Sequence, residues 1–320
     1  MTQDTLILGL NPAWQRLFIL DKFVPGEVNR LPKAEEYASG KGINCGRILQ
    51  LLGGNPILAH FLGSEHGVRI FDEIAAIGIR QIPVWINALT RICTTIVGNG
   101  DTTELIEPSP VLSESENDDF LQAINDCWTE VSRIVLCGSF PDNFHAEKLF
   151  SLDLTGKRLY IDAVTGVDKW LGKGSVALLK LNMGEYCKLL QQQGIPQVTS
   201  SPQFWKMTAS TLLGKLPVRN LIVTDEDAPV RAFRMEEGKL QYWMLTPPKV
   251  QVVNDVGAGD SFLAGYLSAE SDELPVANCL ARATAVAAAR CEADRPWNLN
   301  LERASALEQS LVPLVEKVND

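Results

Sequence analysis

The sequence predicts an α/β protein built on a mostly parallel central sheet with helices on both faces, carrying a small β-stranded lid. Three observations predict it. Short apolar runs alternate with segments of helical period along most of the 320 residues. Internal repeats, low-complexity tracts and linkers are missing from the sequence, so one domain spanning 1–320 is expected. Two stretches rich in Thr, Val and Ile have no helical period and break the rhythm.

Taken in order, Thr5 to Leu10 reads as a buried strand. Ile43 to Leu52 reads as a helix ended by Gly53-Gly54, and Val68 to Ile77 as a second helix ended by Gly78. Further strands are expected at Arg133 to Cys137, Arg158 to Asp162, Val176 to Leu181 and Asn220 to Thr224. Helical patterns lie between them, around Asp118 to Trp128, His145 to Phe150, Glu185 to Gln193 and Gln203 to Leu213. Val250, Val252 and Val253 have strand character, and Phe262, Leu263, Tyr266 and Leu267 recur at helical spacing. This βαβ rhythm implies that ligands gather outside the carboxyl ends of the strands. The irregular stretches, Leu17 to Ala38 and Thr90 to Ile106, contain turn residues at Pro25-Gly26 and Gly98-Asn99-Gly100. They read as antiparallel hairpins added to the main sheet, with lid strands from about 15–38 and 90–106.

Composition narrows the partners. With 46% hydrophobic and 21% charged residues the chain can bury a large core. A formal net charge of -10 argues against nucleic acid or an anionic membrane as partner, and an anionic small molecule would need a local basic pocket. Met1-Thr2-Gln3-Asp4 lacks the basic start of a signal peptide, and Leu6 to Leu10 is too short to span a bilayer, so a cytoplasmic location is expected. The seven cysteines contain no C-x-x-C pair, which suits reduced thiols in apolar surroundings. His60, His66 and His145 show no metal-pair spacing and read as surface or structural residues.

The most informative stretch is Asn254-Asp255-Val256-Gly257-Ala258-Gly259-Asp260-Ser261-Phe262. Its glycines sit at a loop-to-helix junction, where unpaired N–H groups and the helix dipole favour a phosphate. Asp260 in the first turn is either a plain N-cap or a base at the lip of an anion cradle. The usual phosphate signatures are missing. Gly166 to Gly174 has one residue too many for a P-loop, and no Gly-x-Gly-x-x-Gly follows the first strand. Three more segments carry the pattern instead: Ser39-Gly40-Lys41-Gly42-Ile43-Asn44, Gly138-Ser139-Phe140-Pro141, and Lys180-Leu181-Asn182-Met183-Gly184-Glu185.

With these four segments the chain resembles the ribokinase-like, or phosphofructokinase B, family of carbohydrate kinases over nearly its whole length. The segments Leu10-Asn11-Pro12-Ala13, Pro25 to Arg30, Gly40 to Asn44, Thr90-Arg91 and Thr102-Thr103-Glu104 are similar to the sugar-phosphate branch, which includes 1-phosphofructokinases and tagatose-6-phosphate kinases. The resemblance implies the family's three-layer fold and ATP-dependent phosphorylation of a sugar phosphate. Fructose 1-phosphate, tagatose 6-phosphate and fructose 6-phosphate are the candidate acceptors, with ATP and Mg²⁺ required and a homodimer formed through the lid.

It also implies roles. Asp260 would be the base, and Gly257, Ala258 and Gly259 would form the anion hole with their N–H groups. Lys41 and Arg91 would face the phosphate already on the substrate, and Asn11, Gln15, Gly40, Asn44 and Ser139 would line the sugar site. Asn182, Thr224, Asn254, Val256 and Asn278 would face the nucleotide, and Glu185 would organise magnesium and its waters. On sequence alone Asn182 and Glu185 read equally well as a helix cap.

Four positions depart from the family pattern. Gln15 stands where an aspartate usually holds sugar hydroxyls, and Ser39 replaces a frequent glycine. Asp255 stands where threonine is common beside the anion hole. Asp225-Glu226-Asp227-Ala228-Pro229 replaces a glycine-containing turn near the nucleotide, where each carboxylate about 4 Å from a triphosphate would cost on the order of 1–4 kcal/mol. These departures keep two alternatives open: a kinase of an unphosphorylated sugar or nucleoside, and a non-catalytic sugar-phosphate sensor.

Overall fold

The computed structural model describes residues 4–98, 101–149, 151–163, 170, 176–196 and 201–318. Its larger sheet has ten strands among the described residues: β1 (Asp4–Leu8), β4 (Asn55–Leu62), β5 (Arg80–Trp85), β8 (Arg133–Cys137), β9 (Arg158–Asp162), β10 (Val176–Asn182), β11 (Val218–Asp225), β12 (Ala228–Glu236), β13 (Lys239–Leu245) and β14 (Glu316–Lys317). They lie in the order β14-β13-β12-β11-β10-β9-β8-β1-β4-β5. Pairing is parallel from β11 to β5, and antiparallel from β11 out to β14. After β1 the chain first builds outward through β4 and β5, then returns to build β8 to β11 on the other side. The reversal makes a crevice between the ends of β1 and β8, the place where open α/β sheets bind ligands.

The strands are apolar on both sides because helices cover both. Leu6 and Leu8 face one core with α3 (Glu114–Cys127), α5 (Met183–Gln192) and α6 (Pro202–Lys215), and the short α4 (Ala146–Leu149) joins it. Ile7 points the other way, into a core built with α1 (Lys41–Leu51), α2 (Ser64–Ala76), α7 (Ala258–Ser271), α8 (Val276–Cys291) and α9 (Leu301–Leu311). The period-two alternation of a strand thus feeds two cores at once.

The two irregular stretches form a sheet of their own and are not added to the main one. It contains β2 (Ala13–Ile19), β3 (Ala34–Ser39), β6 (Ile92–Gly98) and β7 (Asp101–Ile106), in the order β3-β2-β6-β7. The β2–β3 and β6–β7 pairs are antiparallel as expected, while β2 and β6 run parallel.

Other expectations need correction. Val250 to Val253 form no strand; Val252 and Val253 are exposed, because the backbone there bonds to the end of α8 instead of to a sheet. The helix expected at Val68 begins at Ser64, with Gly63 as its extended N-cap at a point where a Cβ would lie 1.9 Å from the Ala88 carbonyl oxygen. The helix expected from His145 is the single turn of α4, and Phe150 lies outside the described residues, as do Asn99, Gly100 and most of the P-loop-like string Gly166 to Gly174. The acidic segment Asp225-Glu226-Asp227 is the tight turn of the β11–β12 hairpin, in which Glu226 takes φ +44° and both Glu226 and Asp227 are exposed.

Candidate active site

The parallel strands end in polar residues at one level. Register pairs Cys137 with Asp162 and Asn182 with Thr224, so the carboxyl ends of β8 to β11 form one rim. The start of α1 crosses this rim. A Cβ on Gly42 would lie 2.5 Å from Gly9 Cα, and one on Gly9 would lie 2.8 Å from Gly42 Cα, so only two glycines allow the backbones to touch. That contact aims the free N–H groups of the first turn of α1 into the crevice.

The crevice holds a cavity of about 160 Å³ lined by Asn11, Gly40, Lys41, Arg91, Cys137 and Ser139, among others. Five of the seven residues expected around the sugar therefore meet there. Asn11 is buried and donates from Nδ2 to Ser109 Oγ at 2.8 Å and to Ser139 Oγ at 3.0 Å. Arg91 donates from Nη2 to the Asn11 carbonyl at 3.0 Å, and its buried Nε has no partner among the described residues. Gln15 is not in the cavity wall. It is buried in β2 and donates to Thr95 Oγ1 on β6 at 2.8 Å, where an amide serves as a strand-to-strand tie.

Asp260 sits in the first turn of α7 and is 7% exposed. Asn44 of α1 donates from Nδ2 to its Oδ2 at 2.8 Å. Burial, and then the nearby Asp162 carboxylate, push the Asp260 carboxyl up to about 6, against the pull of Lys41, Asn44 and Lys180. The preceding Gly257 adopts φ +81°, a left-handed conformation that glycine takes without strain. The Ala258 N–H is not free for an anion, because it donates to the Asp255 carbonyl at 3.0 Å to close the turn. An anion hole at this turn would therefore rest on the N–H groups of Gly257 and Gly259, at positions where a helix supplies no acceptor.

Two charged residues join the site without an expected role: Asp162 lies outside the motif segments, and Lys180 opens one of them. Asp162, at the end of β9, accepts from Lys180 Nζ at 2.9 Å on one oxygen and from Lys41 Nζ at 3.1 Å on the other. Burial would raise the Asp162 carboxyl, but the two ammonium groups outweigh it and hold it below the usual aspartate range. For Lys41, burial pulls the ammonium down while Asp162, Glu185 and Asp260 raise it further, so it stays charged. Lys180 is 3% exposed, and a Cβ on Gly259 would lie 3.3 Å from its Nζ, so this ammonium lies against the Gly257–Gly259 turn. A charge at or near the end of a mostly apolar strand is the signal that would have found both: Asp162 ends Arg158–Asp162 and Lys180 lies near the end of Val176–Asn182.

Asn182 and Glu185 form a full capping box. Asn182 Oδ1 accepts from the Glu185 N–H at 2.8 Å, and Glu185 Oε2 accepts from the Asn182 N–H at 2.9 Å. Glu185 Oε1 also reaches Lys41 Nζ at 3.4 Å, so the cap and the site share this carboxylate. Thr224 lies level with Asn182 at the strand ends. Asn254 and Val256 shape the approach to the hole: the Asn254 side chain accepts from the Val256 N–H at 2.9 Å and donates to the Asp294 carbonyl at 2.9 Å. Asn278 lies half-buried near the start of α8 and makes no hydrogen bond to the other described site residues. No described group of three or more His, Cys, Asp or Glu side chains is arranged to hold a metal by itself.

A parallel sheet whose switch point holds a basic anion pocket and a buried carboxylate defines a class of phosphate-handling α/β enzymes. The family model of the pfkB carbohydrate kinases matches residues 15–296, and the chain belongs to that family. It is 27% identical over 280 residues to a tagatose-6-phosphate kinase of Staphylococcus epidermidis, covering 82% of this chain and 84% of that one. Its fold is similar to that of phosphofructokinase-2 from Escherichia coli in complex with substrates and products. There the TM-score is 0.83 and the identity 19%, covering 97% of this chain and 99% of the other. A possible 1-phosphofructokinase from Thermotoga maritima gives a TM-score of 0.81 at 18% identity, covering 99% of this chain and 100% of that one.

Proposed function

We propose that the protein is an ATP- and Mg²⁺-dependent kinase of a phosphorylated ketohexose, with fructose 1-phosphate, tagatose 6-phosphate and fructose 6-phosphate as candidate acceptors. The observation that carries this reading is the adjacency of two anion sites. The Lys41/Arg91 cavity at the switch point suits the phosphate already on the sugar, and the Gly257–Gly259 turn suits the one being transferred. Asp260 follows that turn directly and is tied to α1, which carries Lys41, through Asn44.

In this reading the acceptor hydroxyl gives its proton to Asp260 Oδ1, since Oδ2 is occupied by Asn44. A carboxylate titrating near 6 is ionised at neutral pH yet basic enough to accept that proton, worth roughly 10²–10⁴ in rate. The N–H groups of Gly257 and Gly259 with the Lys180 ammonium stabilise charge on the transferring phosphoryl group. Magnesium takes few protein carboxylates and keeps several waters, so Glu185 with Asn182 suffices to hold a hydrated ion. When bound, that ion neutralises charge on the nucleotide phosphates.

The test is an ADP-release assay over a panel of sugar phosphates, with Asp260→Asn as control. ADP formation with one ketohexose phosphate, lost in the variant, supports the reading. ADP formation only with free sugars or nucleosides sinks the acceptor assignment. The sensor alternative is motivated by Asp255, which is exposed directly before the hole. Tight binding of a sugar phosphate, with no calorimetric response to millimolar ATP·Mg²⁺, would favour it. A dimer through the β2/β3/β6/β7 sheet is part of the same proposal, and a single species of monomer mass in sedimentation would exclude it.

A further inference from the structure

The Gly257 turn is suspended from the end of α8. The N–H groups of Val253 and Asn254 both donate to the Cys291 carbonyl, at 2.8 and 3.2 Å. Arg290, 0% exposed, completes the attachment. Its Nη1 donates to the Asn254 carbonyl at 3.2 Å and to the Ala293 carbonyl at 3.1 Å, and its Nη2 donates to the Val256 carbonyl. Three carbonyls from two loops therefore converge on one guanidinium, with no carboxylate bonded to it among the described residues.

Peptide planarity turns this into a statement about the anion hole. In a trans peptide the carbonyl and the next N–H point in opposite directions. With the Val256 carbonyl held towards Arg290, the Gly257 N–H is held away from it, and Gly257 is the left-handed cap that opens α7. The same holds for the Asn254 carbonyl and the Asp255 N–H. Converging carbonyls repel one another unless a positive group stands between them, so without the guanidinium these two peptides are free to rotate.

We propose that Arg290 is a positioning residue for phosphoryl transfer: an internal cation that fixes the Val256–Gly257 peptide with its N–H directed into the anion hole. The inference rests on the kinase reading for its reaction. It differs from a packing role in what it predicts. A misdirected hole donor lowers turnover and leaves the sugar-phosphate cavity, which lies on β1, β8 and α1, unchanged.

The experiment compares wild type, Arg290→Ala and Arg290→Lys by steady-state kinetics and thermal melting, with and without about 20 mM guanidinium chloride. For Arg290→Ala the expected result is a kcat lowered about 10- to 100-fold, as for a displaced hole donor, with the KM for sugar phosphate within about threefold of wild type. Guanidinium is expected to restore kcat severalfold in that variant, and equal concentrations of sodium chloride or urea are not. Arg290→Lys serves if the alanine variant does not fold, with an intermediate kcat expected because an ammonium reaches fewer of the three carbonyls. A folded variant with kcat within twofold of wild type overturns the proposal. So does guanidinium rescue that raises the melting temperature and leaves kcat unmoved. If wild type forms no ADP with any sugar phosphate, the kinase reading falls, and Arg290 is judged by calorimetric binding of tripolyphosphate. At least tenfold weaker binding in Arg290→Ala then supports its role, and equal binding overturns it.

Discussion

Oδ2 of Asp260 accepts a 2.8 Å hydrogen bond from Nδ2 of Asn44, so a residue on α1 fixes the carboxylate carried by α7. The bond engages one of the two carboxylate oxygens. Asp260→Asn keeps the shape and the Asn44 contact but cannot take a proton. Turnover is expected to fall at least a hundredfold while the sugar-phosphate KM stays near wild type. Initial rates over a range of sugar phosphate decide it, and a variant with wild-type turnover removes Asp260 from the role of base.

The raised carboxyl of Asp260 also gives a pH dependence. With a value near 6 in the free protein, kcat/KM should rise with pH through about 6 and level off above 7, as one group deprotonates. Because the Asn44 bond favours the ionised form, Asn44→Ala should move that midpoint upward. A pH profile of the variant with an unchanged midpoint would contradict this.

Stability carries the opposite sign. The folded value lies above the unfolded one of about 3.8, so burial of ionised Asp260 opposes folding above about pH 6, and the penalty vanishes below about pH 4. A shift of about two units corresponds to at most ~3 kcal/mol. Asp260→Asn should accordingly be more stable than wild type at pH 8, with the difference shrinking as pH falls towards 4. Urea titrations at both pH values measure it, and a variant less stable at pH 8 refutes it.

Asp162 and Lys180 are both buried and paired at 2.9 Å. Lys180→Met leaves Asp162 with the half-exposed Lys41 alone, and breaking such a pair typically costs about 3–5 kcal/mol. Adding Asp162→Asn should recover much of the stability and none of the activity. A double variant no more stable than the single one would show that the pair is not the source of the loss.

The Arg91 guanidinium makes one hydrogen bond among the described residues, from Nη2 to the Asn11 carbonyl, which leaves Nε and Nη1 for an anion. Arg91→Met is expected to raise the sugar-phosphate KM by about 10- to 100-fold, as for loss of a charged hydrogen bond worth roughly 1.5–3 kcal/mol. Arg91→Lys should restore little, because an ammonium cannot reproduce the forked contact. An unchanged KM in both variants would place the substrate phosphate elsewhere.

The parts of this molecule legible in its sequence are those whose signal is local. Gly257 to Asp260 and Gly40 to Asn44 announce helix starts by glycine and polar spacing alone, and the structure brings Asn44 and Asp260 into contact. Asn182 and Glu185 form the helix cap that their spacing allows, and Glu185 also reaches Lys41, while their nucleotide and magnesium roles belong to the proposal. What was not legible depends on register. Asp162 and Lys180 are 18 residues apart in sequence and meet only because β9 and β10 pair in parallel at that level. Arg290 reads as an ordinary basic residue in the last turn of a helix, and its role follows from a loop 34 residues earlier folding back onto it. The valines at 250–253 show the converse, a strand-like composition in a segment whose backbone is claimed by a helix end.

The ion pairs of Lys41 bear on how the pocket chooses among solutes. Its ammonium is shared between Asp162 at 3.1 Å and Glu185 at 3.4 Å, so Lys41 brings no idle positive charge to the cavity. Background anions of single charge must compete against two resident carboxylates and gain little. Under the proposed kinase reading, a dianionic phosphate that also engages Arg91 would draw Lys41 across, and the released carboxylate oxygen of Glu185 would then be open to a hydrated cation. Occupancy of the pocket and readiness for magnesium would in this way arise from one movement of one side chain.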